Sequence, residues 1–310
     1  MLPQNEQPGG ERARFALISV PIWYGAGKRG TELCPPAFKK FGLDEKLRMQ
    51  GVKVVGWYQV DPDTVKSADS GLGKVKYEEE IFYTQKSVFR LLRGFVEQEI
   101  IPVVLGGDHT ISIASVAAQA AYAEGARKVG IIWIDAHGDV HTPDTTPSGN
   151  VHGMPLAILL GEGSERLMDV GGEYCAKIYP RNVIHIGSNN LEKEEADFFM
   201  THKIPLFPQS GIASDESFAR ACHAISALGK SAERIVLSID MDAFDETIAP
   251  GVHARNKNGI KRERAIELFD YIKSHCRIVG IDIAEIVPRK DRGHKTIELA
   301  YNFLVRLLAP

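Results

Sequence analysis

Sulfur is sparse in this chain. Its four cysteines, Cys34, Cys175, Cys222 and Cys276, stand singly among 310 residues. Their spacing offers neither a paired-cysteine zinc site nor a dense disulfide framework, so free thiols in a reducing compartment are expected. Long apolar runs are missing too: none reaches the roughly 20 residues that a membrane-crossing helix needs. Residues 1–14 are polar and carry Glu6 and Glu11. They lack the apolar centre of a signal peptide and do not resemble an Arg- and Ser-rich transit peptide. They read as a short disordered tail on a cytoplasmic protein. Charge of one sign is scarce as well, and a net charge of −3 makes no electrostatic case for nucleic acid or a membrane surface. No Pro/Gly/Ser-rich linker, composition break, internal repeat or low-complexity tract divides the chain. Length alone would allow two domains, but a tail over 1–14 and a single domain over 15–310 are expected.

What is present is an ordinary globular composition, 44% hydrophobic and 25% charged, enough for a large core. Short β-rich runs fall at 15–20, 52–58, 100–105, 129–134, 183–186, 204–207, 235–239 and 278–283. Between them lie stretches with apolar residues at i, i+3 and i+4, as in 77–98, 214–228, 263–275 and 294–308. Strand–helix alternation predicts an α/β layered fold with a mostly parallel sheet of about eight strands. A TIM barrel fits the same alternation.

The chemistry concentrates where apolar runs end. Val129-Gly130-Ile131-Ile132-Trp133-Ile134 leads directly into Asp135, His137 and Asp139. Continued as a strand, that spacing sends all three side chains to one side. Three ionisable groups on one face of a buried strand end are costly unless paired or metallated. Upstream, 101–105 runs into Gly106-Gly107-Asp108-His109; downstream, 234–239 runs into Asp240-Met241-Asp242. In an open parallel sheet these C-terminal ends share the edge where ligands bind. The pool His109, Asp135, His137, Asp139, Asp240 and Asp242 is too large for one ion with an open position. It suits two divalent ions sharing bridging carboxylates. Hard oxygens with imidazole nitrogens favour an ion such as Mn²⁺.

These motifs together resemble the ureohydrolases, and within them the arginases most closely. The match spans nearly the whole chain, through PIWYGAGKRGTELCPP at 21–36, Gly-Gly-Asp-His at 106–109, DAHGD at 135–139, SGNVHGMPLA at 148–157, SIDMDAFD at 238–245 and DIAEIVP at 282–288. The resemblance implies a three-layer αβα fold, two Mn²⁺ ions per chain (with Co²⁺, Ni²⁺ or Fe²⁺ as alternatives), hydrolysis of a guanidinium carbon, and a homotrimer or homohexamer. Carried over by position, His109, Asp135, Asp139 and Asp240 would hold one ion. Asp135, His137, Asp240 and Asp242 would hold the other, so Asp135 and Asp240 would bridge. His152 matches the family's proton-shuttling histidine, and an imidazole titrates in the right range. Glu285 matches the carboxylate that pairs the guanidinium. Asp245 matches an acid near the metal ligands and fits a turn equally well. At the far end of the substrate, Ser148 and Asn150 match positions that contact an α-carboxylate.

The pattern also departs. His141 falls where arginases usually carry Asn. Asn190 and Glu192 fall where arginases present acids towards an α-ammonium. Residues 249–255, Ala-Pro-Gly-Val-His-Ala-Arg, replace the arginase Gly-Thr-Pro loop, place the basic His253 and Arg255 near the pocket rim, and are also similar to formimidoylglutamases. The expectation is hydrolysis of L-arginine to L-ornithine and urea, with His141, Ser148, Asn150 and Glu192 at the substrate end. The alternatives are another guanidino or formimino substrate (agmatine, guanidinobutyrate, hydroxyarginine, formimidoylglutamate), a metal-binding subunit without turnover, and a histone-deacetylase-like amidohydrolase. The paired Asp-x-Asp and Asp-x-His-x-Asp motifs weigh against the last, because they point to two ions.

Overall fold

The computed structural model describes residues 13–64, 74–172, 174–189 and 191–310. Most of the tail, residues 1–12, and Asn190 lie outside the described residues. The strands are β1 (Arg14–Val20), β2 (Lys53–Gln59), β3 (Ile100–Gly106), β4 (Val129–Ile134), β5 (Val183–Ile186), β6 (Leu206–Phe207), β7 (Arg234–Asp240) and β8 (Ile278–Ala284). They form one eight-stranded sheet in the order β2-β1-β3-β8-β7-β4-β5-β6. Every pairing is parallel. Among the described residues β2 and β6 each pair with one strand only, so the sheet is open and not a barrel.

The central strands are apolar on both faces because both faces are covered. Leu17, Val103, Leu105, Leu237, Ile239, Ile281 and Ile283 pack into one core with the helices Cys34–Phe41, Asp215–Ser231, Arg262–His275 and Lys295–Leu308. The alternate residues Ala16, Ile18, Val20 and Val104 pack on the other face against Glu78–Val96 and Ile111–Tyr122. Helix, sheet and helix make three layers, as the resemblance implied. All eight strand expectations are met, with one shortened: β6 begins only at Leu206. Pro205, just ahead of it, has no N–H to donate, and its carbonyl instead accepts from His185 N–H at 2.9 Å.

The strand order places β3, β8, β7 and β4 side by side at the centre. Their C-terminal ends lead to His109, Glu285, Asp240 and Asp135 respectively. Four chain segments distant in sequence therefore meet on one edge. Close backbone approach is part of this design. A Cβ at Gly107 would lie 1.9 Å from the carbonyl oxygen of Ile22. Gly107→Ala is therefore expected to destabilise the fold by about 3 kcal/mol, read as a lower midpoint in urea unfolding; an unchanged midpoint would contradict that packing.

Candidate metal and substrate site

Just past β3, the buried His109 turns its Nδ1 towards three carboxylates. It lies 2.9 Å from Asp135 Oδ2, 3.1 Å from Asp139 Oδ2 and 3.5 Å from Asp240 Oδ2. Its other nitrogen, Nε2, is 2.9 Å from Ser238 Oγ. That contact lets Nε2 carry the ring hydrogen and leaves the Nδ1 lone pair for a ligand. The ring stacks on Trp133 at 4.1 Å, and Trp133 Nε1 donates to Asp135 Oδ2 at 3.1 Å.

A second group lies beside the first. His137 Nδ1 is 3.5 Å from Asp135 Oδ1 and 3.2 Å from Asp242 Oδ2. The ligand atoms of His109, Asp135 and Asp240 fall within 4.8 Å of one another, and so do those of Asp135, His137 and Asp242. Asp135 is common to both groups and turns one oxygen towards each. Its neighbour His185, also buried, holds the His137 carbonyl through Nε2 at 2.7 Å. Burial depresses the His185 pKa to about 4, so this imidazole is neutral.

The backbone is bent to bring these groups together. Asp139 and Glu285 both adopt left-handed φ values, +55° and +63°. Such strain costs on the order of 1–3 kcal/mol per residue and clusters at functional sites. The carbonyl of Asp139 accepts from Leu156 and Ala157 N–H, which ties it to the start of the helix Pro155–Leu160. Glu285 N–H donates to Gly107 O at 2.9 Å, and Glu285 Oε1 accepts from His109 N–H at 3.0 Å. The same oxygen is 3.0 Å from His152 Nδ1.

The charges are arranged for a cation. Asp135, Asp139, Asp240 and Asp242 are each at most 5% exposed. Burial, with the Asp135 charge adding to it, raises Asp139 to about 8. Burial and the neighbouring carboxylates of Asp242 and Asp135 raise Asp240 well above the usual carboxylate range. Burial also raises Asp242, against the opposing pull of His137. Asp135 alone goes the other way: burial works against it, but His109 and His137 hold it well below its ordinary value. Asp139 Oδ2 is buried and faces only the Nδ1 of His109, at 3.1 Å. Crowded, desolvated carboxylates are stable when dications neutralise them. The donor set therefore fits two divalent ions.

In front of these groups lies a cavity of about 240 Å³. His137, Asp139, Asp240, Asp242, His152 and Glu285 line it, together with His141, Ser148, Asn150 and Glu192. Of the six expected metal ligands, His109 and Asp135 are not in its lining; both are buried against the carboxylates that are. Burial alone would lower the His152 pKa, but Glu285, then Asp139 and Asp108, push it up to about 9.

The outer end of the cavity is less free than the motifs implied. Asn150 Nδ2 donates to Ala26 O at 3.2 Å, and Lys76 Nζ donates to Asn150 Oδ1 at 3.4 Å. Asn150 thus pins the Gly-rich segment near residue 26. Ser148 Oγ accepts from Asn150 N–H. His141 Nε2 lies 3.3 Å from Glu192 Oε2, and Glu192 forms a reciprocal capping box with Glu195 at the start of the helix Lys193–His202. Asp245 lies outside the lining. It accepts from Thr247 N–H at 3.1 Å and from Lys261 Nζ at 2.5 Å, so it anchors a turn. Several supporting residues were not singled out from sequence: Ser238, Trp133 and His185 act through strand pairing, and Glu195 through a helix start. Asp108 sat inside a recognised motif, but its part was hidden. Its carboxylate accepts from Gly25 N–H at 2.8 Å and holds the Gly-rich segment in place.

Comparison with known proteins agrees with the fold. The arginase-family model matches residues 13–309. An arginase from Staphylococcus aureus (strain MRSA252) is 32% identical over 288 residues, covering 91% of this chain and 92% of its own. An arginase from Bacillus subtilis (strain 168) is 29% identical, covering 95% and 97%. The solved arginase structure from Bacillus caldovelox superposes with a TM-score of 0.89 at 28% identity, covering 96% of this chain and 99% of that one. Fold and site define an enzyme of the binuclear-metal amidinohydrolases, which act on linear amidines. The chain belongs to the arginase family.

Proposed function

We propose that this protein is a Mn²⁺-dependent arginase that hydrolyses L-arginine to L-ornithine and urea. The observation that carries the reading is the position of Asp135, one carboxylate common to two imidazole–carboxylate groups at the floor of an open cavity. The choice of arginine within the class rests on the relatives named arginase. In this reading His109, Asp135, Asp139 and Asp240 hold one ion, and Asp135, His137, Asp240 and Asp242 hold the other. When bound, the pair supplies Lewis acidity and a water deprotonated near neutral pH. The protein's own groups do the rest. Glu285, held by His109 N–H, offers a charged acceptor to the planar guanidinium and fixes its orientation. His152, paired with Glu285 through Nδ1, carries a proton to the departing amine. His141, Ser148, Asn150 and Glu192 bound the amino-acid end. The protein works as a homotrimer or homohexamer in the cytoplasm. Among the described residues no helix is long and apolar enough to cross a membrane.

The His141–Glu192 contact and the engaged Asn150 amide favour one alternative, another guanidino or formimino substrate of the same class. Product release from arginine, agmatine, guanidinobutyrate, hydroxyarginine and formimidoylglutamate, compared on one Mn²⁺-loaded sample, decides between them. The highest kcat/KM is expected for arginine; a higher value for another compound would keep the class and change the substrate.

A further inference from the structure

Asp282 is a buried carboxylate that the chemistry above leaves without a task. It stands on β8, three residues before Glu285, and is fully buried. In the β7–β8 register its partner is Ser238, whose hydroxyl lies 2.9 Å from His109 Nε2. Residues paired across neighbouring strands turn their side chains to the same face of the sheet. On this face Val104, the β3 partner of Asp282, packs against the helix Ile111–Tyr122. That helix brings Ser115 to the group. Two residues back along β8, a Cβ at Gly280 would lie 3.8 Å from Ser115 Oγ. Asp282, Ser238 and His109 thus form a line that leads from the covered face to the ligand groups.

Other buried carboxylates outside the ligand groups are tied down. Asp108 accepts from Gly25 N–H, and Asp245 accepts from Lys261 Nζ. Asp282 has neither a backbone N–H nor a lysine or arginine. Among the described residues neither of its oxygens is closed into a full hydrogen bond, and Ser115 Oγ is likewise open. The groups that act on it are the hydroxyls of Ser115 and Ser238 and the imidazole of His109. Burial raises its pKa to about 7 against the pull of all three. A buried carboxylate without a local cation is costly. The charge that would balance this one belongs on the far side of Ser238, where the donor set fits two dications.

We propose that Asp282 is a positioning residue for the metal centre: its carboxylate accepts from the Ser238 hydroxyl, Ser238 accepts from His109 Nε2–H, and the Nδ1 lone pair stays turned to the ion. The proposal rests on the assignment of His109 as a metal ligand. A serine hydroxyl has one hydrogen to give and lone pairs to receive with, so a fixed acceptor behind it sets what it offers in front. A carboxylate at the end of the line also makes the imidazole a stronger ligand, as outer partners of metal-bound histidines do. Asparagine has the same shape but no charge, and its NH₂ can face Ser238 and reverse the line.

Mn²⁺ alone is the probe, titrated into the metal-stripped full chain in competition with a chelator. Asp282→Asn is expected to weaken Mn²⁺ binding about 10- to 100-fold, the scale of losing an outer partner. The metal-free variant is expected to melt no lower than the metal-free wild type, because a buried charge is gone. Ser238→Ala is expected to weaken binding about tenfold, and adding Asp282→Asn to it should cost little more, since the line is already broken. Wild-type affinity in Asp282→Asn would overturn the proposal. So would losses that multiply in the double variant, or a metal-free Asp282→Asn that melts well below wild type, which would make the residue structural. Should Asp282→Asn fail to fold, wild-type affinity in Ser238→Ala would overturn the proposal by itself. His109→Ala separates the two assignments. Full Mn²⁺ affinity in His109→Ala removes His109 from the ligands. Weak binding in His109→Ala with full affinity in Asp282→Asn removes the role of Asp282 alone. None of these readouts depends on arginine being the substrate.

Discussion

Asp135→Ala is expected to abolish stable binding of both ions and to lower kcat/KM for arginine by at least about 10³-fold, the scale of losing a metal-activated nucleophile. The reason is positional. Asp135 Oδ2 is 2.9 Å from His109 Nδ1, and Asp135 Oδ1 is 3.5 Å from His137 Nδ1. Asp240, assigned above to both ions, falls only in the His109 group among the described residues, so Asp135 is the carboxylate that the geometry itself places in both. Substituting Asp242 or Asp139 removes a ligand from one side of the site; substituting Asp135 removes one from each. The fold itself is expected to survive. The side chain stands among three other buried aspartates, and deleting one of several crowded carboxylates relieves repulsion when ions are absent. Metal analysis and circular dichroism on the purified variant check this together. A variant that folds and still retains two ions would contradict the assignment of Asp135 as the shared ligand.

His152→Asn is expected to lower kcat by about 10²–10³-fold, within the range for removal of a proton-transferring group, while metal content and KM change little. His152 lines the cavity in contact with Glu285 at 3.0 Å and lies outside both ligand groups. An Asn side chain retains a hydrogen-bonding amide towards Glu285 but cannot carry a proton at neutral pH. The loss should therefore fall on the chemical step, not on binding. Steady-state kinetics measures the split. A rise in KM with kcat preserved would make His152 a binding residue instead of a proton carrier.

Much of this site was legible in the sequence, for a definite reason. In a parallel sheet covered on both faces the strands are continuous apolar runs, and the residue after each run sits at the ligand-binding edge. Asp135 after β4 and Asp240 at the end of β7 declare themselves in that way. What stayed hidden depends on contacts between distant segments. That Ser238 meets His109 Nε2 follows from β7 and β3 being separated by β8 alone, an order the sequence does not state. The left-handed backbone at Asp139 and Glu285 has no sequence signature, because neither residue is glycine. The substrate end was the least legible part. Asn150 looked free to meet a carboxylate but holds Ala26 and Lys76, and Glu192 serves a helix start as well as the rim. Asp282 opens the 282–288 motif, but only the β7–β8 register shows it beside Ser238.

The central proposal is a two-ion centre acting on arginine. The most direct test is the number of Mn²⁺ ions per chain in the wild-type protein, measured by mass spectrometry on the same sample that is assayed for urea release from arginine. Two ions per chain with urea formation is the expected result. One ion per chain at full activity, or two ions per chain without urea from arginine, would contradict it.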